Sequence, residues 1–263
     1  MTVEEALRFS AIDSREARLL LAAAGGFSEA SVLAYPERDL PAGTEARFHE
    51  FVQRRARGEP VAYILGRKDF YGLELSVDPS VMVPRPETEL LVDLALQRGF
   101  ASLLDLGTGS GAIALAIKRE RPEARVVAVE ASAAALAVAQ RNAVRHGLQV
   151  EFCHGRWFEP LAGERFDVIL ANPPYVADGD PHLPGLEFEP RLALTSGADG
   201  LDAIREIVRE APRHLAPGGW LLVEHGMGQD GAVRQLLSQA GLEDVDSCPD
   251  LARIPRVAAG KVK

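Results

Sequence analysis

Apolar residues in the first 70 positions recur every three or four residues, which is the spacing of one face of an α-helix. Two stripes show this spacing: Ala17, Leu20, Leu21 and Ala24 in the first, and Phe48, Phe51 and Val52 in the second. Asp13 can cap the first helix, and Thr44 can cap the second. The first helix should end at Gly25 and Gly26. We therefore expect residues 1–70 to form a small helical domain.

The pattern changes to strand-like alternation between Gly66 and Val83, on both sides of Tyr71 and Gly72. Two short alternating segments around a tight turn predict a β-hairpin. We expect residues 71–84 to be a hairpin linker between the helical domain and the rest of the chain.

From residue 85 onward, short apolar runs alternate with longer segments of helical periodicity. The predicted strands lie at 102–106, 125–129, 150–153, 166–171 and 220–224, with a final pair around Val245 and Val257. The predicted helices lie at 112–119, 132–146, 201–215 and 232–240. Repeated strand–helix units give a mostly parallel sheet with helices on both faces. We expect residues 85–263 to form a doubly wound α/β domain with seven strands.

Composition limits the partners of the chain. The net charge of −9 argues against a broad grip on nucleic acid, which needs a basic face, so no direct nucleic-acid partner is expected. No stretch approaches the length of about 20 apolar residues that spans a membrane. The two cysteines are far apart and the N-terminal residues do not resemble a signal peptide, which favours a cytoplasmic protein with reduced thiols. The histidines have no metal-ligand spacing, so no metal site is expected.

A basic cluster, Arg54, Arg55 and Arg57, lies near the end of the second predicted helix. Cations suit a helix C-terminus and are usually solvated there, which is the favoured interpretation. The alternative is that the cluster contacts a partner.

Candidate chemistry begins with Asn172, Pro173, Pro174 and Tyr175, which follow the apolar run 166–171. Two prolines end a strand and stiffen the polar corner after it. The Asn172 side chain offers a carbonyl acceptor, the Pro173 carbonyl lies beside it, and the Tyr175 ring offers a flat wall. Two adjacent acceptors can hold both N–H groups of a planar amide or amine. The alternative for an isolated Asn-Pro is a capped turn.

A second candidate site is the glycine-rich loop after the first strand of the α/β domain. Gly107, Gly109 and Gly111 let a ligand approach the backbone at the start of a helix. Glu130 ends the next strand and can accept hydrogen bonds from ribose hydroxyls. The same glycine spacing also fits a nicotinamide-cofactor fingerprint, so a dehydrogenase is an alternative at this point.

Taken together, the glycine loop, the acid after the second strand and the Asn-Pro-Pro-Tyr corner resemble class I S-adenosylmethionine-dependent methyltransferases. Five further stretches narrow the resemblance to the release-factor glutamine methyltransferases of the HemK/PrmC family: VPRPETE (83–89), DLGTGSGAIALA (105–116), ANPPYV (171–176), EPRLAL (189–194) and GADGLDAIREI (197–207). The resemblance covers nearly the whole chain.

This resemblance implies a Rossmann-like methyltransferase that uses S-adenosyl-L-methionine. It acts on the side-chain amide of the glutamine in the Gly-Gly-Gln motif of peptide-chain release factors, and the helical domain holds that protein substrate. The implied cofactor-binding residues are Gly107, Thr108, Gly109, Ser110, Gly111, Glu130, Trp157 and Asn172. The implied catalytic and substrate-binding residues are Asn172, Pro173, Pro174 and Tyr175, with Arg85 as a further substrate contact.

The chain departs from the family pattern at Glu130, where Asp is usual, at Arg156, where an acid is usual, and at Arg253, where glycine is usual. Two other functions remain as alternatives. An adenine-amino methyltransferase of DNA or RNA would need a basic and aromatic recognition insertion, and none is present. A non-enzymatic binding module with the same fold is disfavoured by the intact Asn172 and Tyr175.

Overall fold

The helical stripes at the start of the chain are buried against one another. The computed structural model describes all 263 residues and divides them into two packed units, Met1–Arg67 and Lys68–Lys263. The helices of the first unit are α1 (Val3–Arg8), α2 (Ser14–Gly25), α3 (Glu29–Ala34), α4 (Thr44–Ala56) and α5 (Val61–Leu65). Its core is built around Leu20 and Leu21, which are fully buried, together with Phe48 and Ile64.

The predicted ends of α2 are confirmed. The Asp13 carboxylate accepts hydrogen bonds from the backbone N–H groups of Arg15 and Glu16, at 2.9 and 3.2 Å. Gly26 closes the helix in the left-handed conformation, with φ 69°. The expectation that Thr44 caps α4 is wrong. Gly43 precedes that helix with φ 81°, a conformation that suits glycine, and Thr44 is buried in the first turn.

Two arginines of the basic cluster are bound within their own unit. Arg54 Nε donates to Glu59 at 2.7 Å, and Arg55 Nε donates to Glu16 at the same distance. Arg57 is exposed. Much of the positive charge of the cluster is therefore neutralised internally.

The second unit carries the alternating pattern that the sequence predicts. The strands are β1 (Arg67–Phe70), β2 (Leu73–Ser76), β3 (Ser102–Leu106), β4 (Arg125–Glu130), β5 (Glu151–His154), β6 (Phe166–Ala171), β7 (Leu215–Glu224), β8 (Glu243–Pro249) and β9 (Pro255–Lys261). The helices are α6 (Glu89–Leu96), α7 (Ala112–Glu120), α8 (Ala133–His146), α9 (Asp202–His214) and α10 (Asp230–Gln239). None of the helices in the structure combines the length and apolar character needed to cross a bilayer.

Seven strands form one sheet in the order β5-β4-β3-β6-β7-β9-β8. The first five of these are parallel, and β9 runs antiparallel to both of its neighbours. Successive residues of β3 face opposite sides, so Leu103 packs in one apolar cluster and Leu104 in another. Both are fully buried. The prediction of a doubly wound, mostly parallel seven-stranded sheet is confirmed.

The predicted hairpin is β1 and β2, joined at Tyr71 and Gly72, whose φ angles are 47° and 71°. Its apolar side chains Phe70, Leu73 and Leu75 are buried in the core of the second unit. The segment that we predict to be a linker therefore begins within the packed core of the α/β unit. The division between the two units lies before it, at Arg67 and Lys68.

The order of the strands positions the candidate site. In the middle of the sheet β3 lies between β4 and β6, and all three are parallel. Their carboxyl ends therefore meet at one edge. The glycine loop, Glu130 and Asn172 follow these three strands, so the fold brings the predicted residues together where open α/β sheets bind ligands.

Candidate functional site

A cavity of about 360 Å³ lies at this edge of the sheet. All of its lining residues belong to the second unit. Eight of the predicted site residues line it: Gly107, Thr108, Gly109, Ser110, Glu130, Trp157, Asn172 and Pro174. The other predicted residues, Gly111, Pro173, Tyr175 and Arg85, do not line it.

The glycine loop folds back over the end of β4. The backbone N–H groups of Gly107 and Thr108 both donate to the Val129 carbonyl, at 2.9 and 3.1 Å. Gly107 takes φ 70°, and a Cβ atom there would lie 3.3 Å from the Trp157 ring. The missing side chain thus leaves room for the indole beside the loop.

Gly111 has a different structural role. It precedes α7 with φ 84°, and a Cβ atom there would lie 3.2 Å from the Cβ atom of Ala139 on α8. This glycine allows α7 and α8 to pack closely rather than lining the cavity.

Backbone donors hold Glu130 at the mouth of the cavity. Its Oε2 atom accepts from Gly109 N–H, and its Oε1 atom accepts from Ser132 N–H, both at 2.9 Å. Each carboxylate oxygen can accept a further hydrogen bond. The acid is therefore oriented in advance and can still receive hydroxyl groups of a ligand.

Trp157 forms an aromatic wall of the cavity in a strained conformation. Its φ of 48° is rare for a bulky residue, and its Nε1–H is buried without a hydrogen-bond partner. An unpaired buried N–H destabilises a fold by about 1–3 kcal/mol. A ligand with an acceptor and an aromatic face would relieve that cost. The preceding Arg156 forms an ion pair with Glu206 of α9.

These features fit a nucleoside cofactor. The mainly apolar lining, the bare glycine loop, the anchored carboxylate and the unpaired indole N–H match the aromatic base and ribose hydroxyls of S-adenosylmethionine. No group of three or more His, Cys, Asp or Glu side chains in the structure could hold a metal ion.

The Asn-Pro-Pro-Tyr corner is held by contacts on several sides. Asn172 Nδ2 donates to the Thr88 hydroxyl at 3.0 Å. The Tyr175 carbonyl accepts from Gln229 Nε2 at 3.0 Å, and a Cβ atom on Gly200 would lie 2.2 Å from the same carbonyl. The corner is therefore rigid, with the Asn172 side chain at the cavity.

Tyr175 turns its hydroxyl away from the cavity lining and toward β7. The hydroxyl donates to Glu224 Oε1 at 3.3 Å, and the ring packs with the core cluster of that face. Burial raises the pKa of the Tyr175 hydroxyl, and the Glu224 carboxylate raises it further. Trp157 and Pro174 line the cavity, and the flat wall expected from the Tyr175 ring stays a prediction.

Arg85 forms an ion pair with Glu189, which is 5% exposed and also accepts from Val83 N–H at 3.0 Å. The contact joins the segment before α6 to the loop after β6. In the structure Arg85 therefore supports the cavity from outside its lining.

Two residues that sequence reasoning missed complete the site. Thr88 lines the cavity, and Glu224 lies behind it at the end of β7 with 1% of its surface exposed. Burial raises the Glu224 pKa to about 7. Thr88, Tyr175 and Arg256 favour the ionised carboxylate and oppose this rise. The sequence does hold a signal for Glu224, which is an acid at the end of an apolar strand. The same signal identified Glu130.

Comparison with known proteins supports both units. The model of the PrmC N-terminal domain matches residues 2–66, and the model of the methyltransferase small domain matches residues 86–184. Two solved methyltransferases share the fold. One, from Pyrococcus furiosus, has 20% identity and a TM-score of 0.58, with 80% of this chain and 96% of that chain covered. The Thermus thermophilus 16S rRNA N2 G1207 methyltransferase, solved with AdoMet and guanosine, has 23% identity and a TM-score of 0.57, with 75% and 50% covered.

Curated relatives cover the chain almost completely. The release factor glutamine methyltransferase of Neisseria gonorrhoeae is 45% identical, with 99% of this chain and 98% of the relative covered. The enzyme of the same name from Burkholderia pseudomallei is 49% identical, with 99% and 96% covered. A third, from Xylella fastidiosa strain Temecula1, is 50% identical, with 95% and 94% covered. These matches confirm the resemblance that the motifs indicate: the chain belongs to the release factor glutamine methyltransferase family.

Proposed function

We propose that the protein methylates the side-chain amide nitrogen of the glutamine in the Gly-Gly-Gln motif of peptide-chain release factors, with S-adenosyl-L-methionine as methyl donor. One observation carries the proposal. Asn172 lines the cavity, and its Nδ2–H donates to the Thr88 hydroxyl. The Oδ1 atom of the same amide is therefore left to accept a hydrogen bond from a substrate. An acceptor at that place suits a primary amide, whose nitrogen carries two N–H groups.

The cofactor would lie between the glycine loop and Trp157. Residues Gly107 to Ser110 would contact it through the backbone, Glu130 would accept from its ribose hydroxyls, and Trp157 would pack near its adenine. When bound, S-adenosylmethionine supplies an electrophilic methyl group. The preset carboxylate of Glu130 and the walls formed by the loop would orient that group and exclude water from it.

The substrate amide would be held by two oxygens. Asn172 Oδ1 and the Pro173 carbonyl would each accept one of its N–H bonds, which aims the nitrogen lone pair and polarises the nitrogen. An amide nitrogen is a poor nucleophile because its lone pair is delocalised, so alignment is the main contribution of these residues. Holding reactants in a near-attack geometry can supply about 7–11 kcal/mol. The buried Pro173 and the clamped Tyr175 carbonyl keep these oxygens in place.

The first unit, residues 1–67, is proposed to hold the release factor. It contributes no residue to the lining of the cavity, and it matches the model of the PrmC N-terminal domain. A glutamine on a loop offers few atoms to recognise, so selectivity has to come from contacts away from the amide. We also place the reaction in the cytoplasm, because its substrate acts in translation. The net charge of −9 supports a protein substrate rather than direct nucleic-acid binding.

The proposal is tested by incubating the purified protein with methyl-labelled S-adenosylmethionine and intact release factor. We expect label in the release factor and none when the glutamine of its Gly-Gly-Gln motif is replaced by alanine. Adenine-containing DNA and RNA are the comparison substrates. Label transferred to nucleic acid and not to release factor would overturn the proposal in favour of an adenine-amino methyltransferase.

Asn172 itself is tested by Asn172→Ala. The variant should lose turnover by orders of magnitude and keep most of its affinity for the cofactor, since the side chain acts on the amide. Single-turnover rates and calorimetric cofactor binding separate the two effects. Near-normal turnover would remove Asn172 from the mechanism.

A further inference from the structure

One side chain, that of Gln229, joins three segments at the Asn-Pro-Pro-Tyr corner. Gln229 is half-buried in the turn between β7 and α10 and does not line the cavity. Its Nε2 atom donates to the Tyr175 carbonyl at 3.0 Å and to the Asp199 carbonyl at 3.2 Å. Its Oε1 atom accepts from the Gly226 N–H at 2.8 Å. Gln229 therefore ties the corner after β6 to the loop before α9 and to the turn after β7.

The partners of Gln229 fix the orientation of its amide. A backbone carbonyl can only accept a hydrogen bond, and a backbone N–H can only donate one. The NH₂ group of Gln229 therefore faces the two carbonyls, and its Oε1 atom faces Gly226. Glutamate has the same length but offers no donor when it is ionised, and methionine offers no donor and only a weak acceptor. The three bonds thus need a glutamine at this position.

Two glycines leave room for this side chain. A Cβ atom on Gly200 would lie 2.9 Å from Gln229 Nε2 and 2.2 Å from the Tyr175 carbonyl oxygen. A Cβ atom on Gly226 would lie 3.0 Å from Gln229 Oε1. The backbone therefore packs closely against both ends of the amide, which leaves it little space to move.

The Tyr175 carbonyl lies close in the chain to the proposed substrate contacts. Two prolines lie between Asn172 and Tyr175, and proline fixes its own φ angle. Few free torsions therefore separate the Tyr175 carbonyl from the Pro173 carbonyl. A side chain that holds the first carbonyl limits how far the second can shift.

We propose that Gln229 is a positioning residue for the methyl transfer: by holding the Tyr175 carbonyl, it keeps the corner in the geometry that accepts the substrate amide. The oxygens that it keeps in place are the Pro173 carbonyl and Asn172 Oδ1. The inference rests on the proposed function, since it assumes that these two oxygens hold that amide. Gln229 acts through the corner, because it does not itself line the cavity.

The first test compares Gln229→Met and Gln229→Glu with the unaltered protein. Methionine keeps the length of the side chain and removes all three hydrogen bonds. Glutamate can still accept from Gly226, but it directs an ionised oxygen toward the Tyr175 and Asp199 carbonyls, which repel it. We expect kcat to fall on the order of 10²-fold in Gln229→Met, as a displaced group causes, and further in Gln229→Glu. A side chain that only fills space would give the opposite order, because glutamate matches the shape of glutamine more closely.

Further readouts separate positioning from general stability. The value of kcat should fall by similar factors on intact release factor and on a short Gly-Gly-Gln peptide, because both contain the amide on which the corner acts. Calorimetric affinity for S-adenosylmethionine should change much less, since other hydrogen bonds hold the glycine loop and Glu130. The double variant of Gln229→Met and Asn172→Ala should lose much less than the product of the two single losses, because both changes affect one bound amide.

The matched controls are Gln239→Met and Gln239→Glu, the same substitutions at the exposed last residue of α10. Both should keep full activity, and a loss equal to that of the Gln229 variants would overturn the positioning role. Melting temperatures establish that each variant is folded. If Gln229→Glu does not fold, Gly226→Ala takes its place, since its methyl group would press on Gln229 Oε1 and should also lower kcat.

Two results distinguish the failure of this inference from failure of the proposed function. Active Asn172→Ala would remove the function of Asn172 and the inference with it. Inactive Asn172→Ala beside fully active Gln229→Met and Gln229→Glu would leave the proposed function intact and overturn the positioning role.

Discussion

Two backbone N–H groups hold the Glu130 carboxylate in place. A substitution that keeps the shape of this side chain and removes its charge therefore measures how much the charge contributes to cofactor binding. Glu130→Gln keeps one accepting oxygen and places an NH₂ group against a backbone N–H. A charge-assisted hydrogen bond contributes about 1.5–3 kcal/mol, so cofactor affinity should fall by about one to two orders of magnitude. Calorimetric titration with S-adenosylmethionine measures the change.

The control for that prediction is Glu130→Asp, which keeps the charge and installs the acid usual in the family. It should recover much of the affinity that Glu130→Gln loses. Equal affinity in Glu130→Gln and the unaltered protein would mean that Glu130 only fixes the backbone of the glycine loop.

Asp105 predicts a pH effect on stability. The side chain is fully buried, its Oδ2 accepts from Thr108 Oγ1 at 2.6 Å and from Ala114 N–H at 3.2 Å, and its Oδ1 has no partner. Burial raises its pKa from 3.8 to about 7. Because the folded-state pKa is the higher one, the stability that the neutral acid contributes is complete below the unfolded pKa. It is lost as the pH rises through the folded pKa.

The measurement is the free energy of unfolding of Asp105→Asn and of the unaltered protein between about pH 4 and about pH 8. Asparagine accepts the same two hydrogen bonds but does not ionise. The stability of the variant relative to the unaltered protein should therefore rise with pH across this interval. Glu224, whose pKa is also raised, is present in both proteins and cancels in the difference. A difference that does not vary with pH would mean that Asp105 does not titrate in this interval.

The role of a residue could be predicted from the sequence where its amino-acid type and its position after a strand were enough to place it in the site. The glycine loop, Glu130 and Asn172 each follow a strand, and the edge of a parallel sheet brings them together. Thr88 and Glu224 were missed because their contacts join residues 84 and 49 positions away along the chain. No periodicity encodes such contacts. The packing of the Tyr175 ring in the core and its bond to Glu224 were not predicted, because an aromatic ring with a hydroxyl suits a core position and a cavity wall equally well.

At the scale of elements, Asn142 of α8 fastens the β1–β2 hairpin to the α/β unit. Its side chain is fully buried, accepts from Ser76 N–H at 2.7 Å and donates to the carbonyls of Ser76 and Ser110 at 3.0 and 2.9 Å. Asn142→Leu would leave three backbone groups unpaired. Each unpaired buried group costs about 1–3 kcal/mol. The free energy of unfolding should therefore fall by about 3 kcal/mol or more, which denaturant titration would measure.

The same change should weaken cofactor binding, because Ser110 belongs to the glycine loop. A matched control is Arg141→Leu on the same helix, whose exposed ion pair with Asp78 contributes little. If Asn142→Leu and Arg141→Leu have the same small effect, the hairpin is held by its apolar contacts alone.

Most elements followed from the hydrophobic pattern, and strand bounds at 102–106 and 166–171 are those of β3 and β6. The predicted strand 220–224 begins five residues after the observed start of β7 at Leu215, because Pro217, Gly218 and Gly219 locally favour a turn over a strand. In the structure Leu215 pairs with Phe166 and the register shifts after it, so the strand continues through an irregularity. Tertiary pairing thus decides what local propensity cannot.

Arg253 has a backbone conformation that is uncommon for a residue with a side chain. It lies in the turn between β8 and β9 with φ 64°, in the left-handed region that a glycine would occupy at no cost. Its N–H donates to the Asp250 carbonyl at 2.9 Å, which holds the turn. Arg253 therefore takes a backbone conformation that glycine favours, at the position where the resemblance leads us to expect glycine.

At the scale of the whole molecule, the two units can be separated at Lys68. A chain that begins at Lys68 keeps Phe70, Leu73 and Leu75, whereas one that begins at Asp78 would lose these core residues. The chain from Lys68 should bind S-adenosylmethionine normally and lose most activity on intact release factor. Its activity on a short Gly-Gly-Gln peptide should change much less.

An equal loss on release factor and peptide would mean that the first unit only supports the second. Arg57→Glu then tests the basic cluster, since Arg54 and Arg55 are bound to Glu59 and Glu16 and their reversal would disturb the fold. A lower kcat/KM on release factor with unchanged cofactor affinity would place Arg57 in contact with the partner. No change would leave Arg57 as a solvated helix end.

The strand order also sets a sequence of events in time. Strand β9 is the last of the seven to be synthesised, yet it lies inside the sheet between β7 and β8. Until its residues exist, β7 has an open edge and β8 has no strand to pair with. A nascent chain at that stage carries the cofactor loop and the Asn-Pro-Pro-Tyr corner on an unfinished sheet whose free edge invites pairing with other chains. The second unit can therefore reach its final fold only after synthesis of its closing strand.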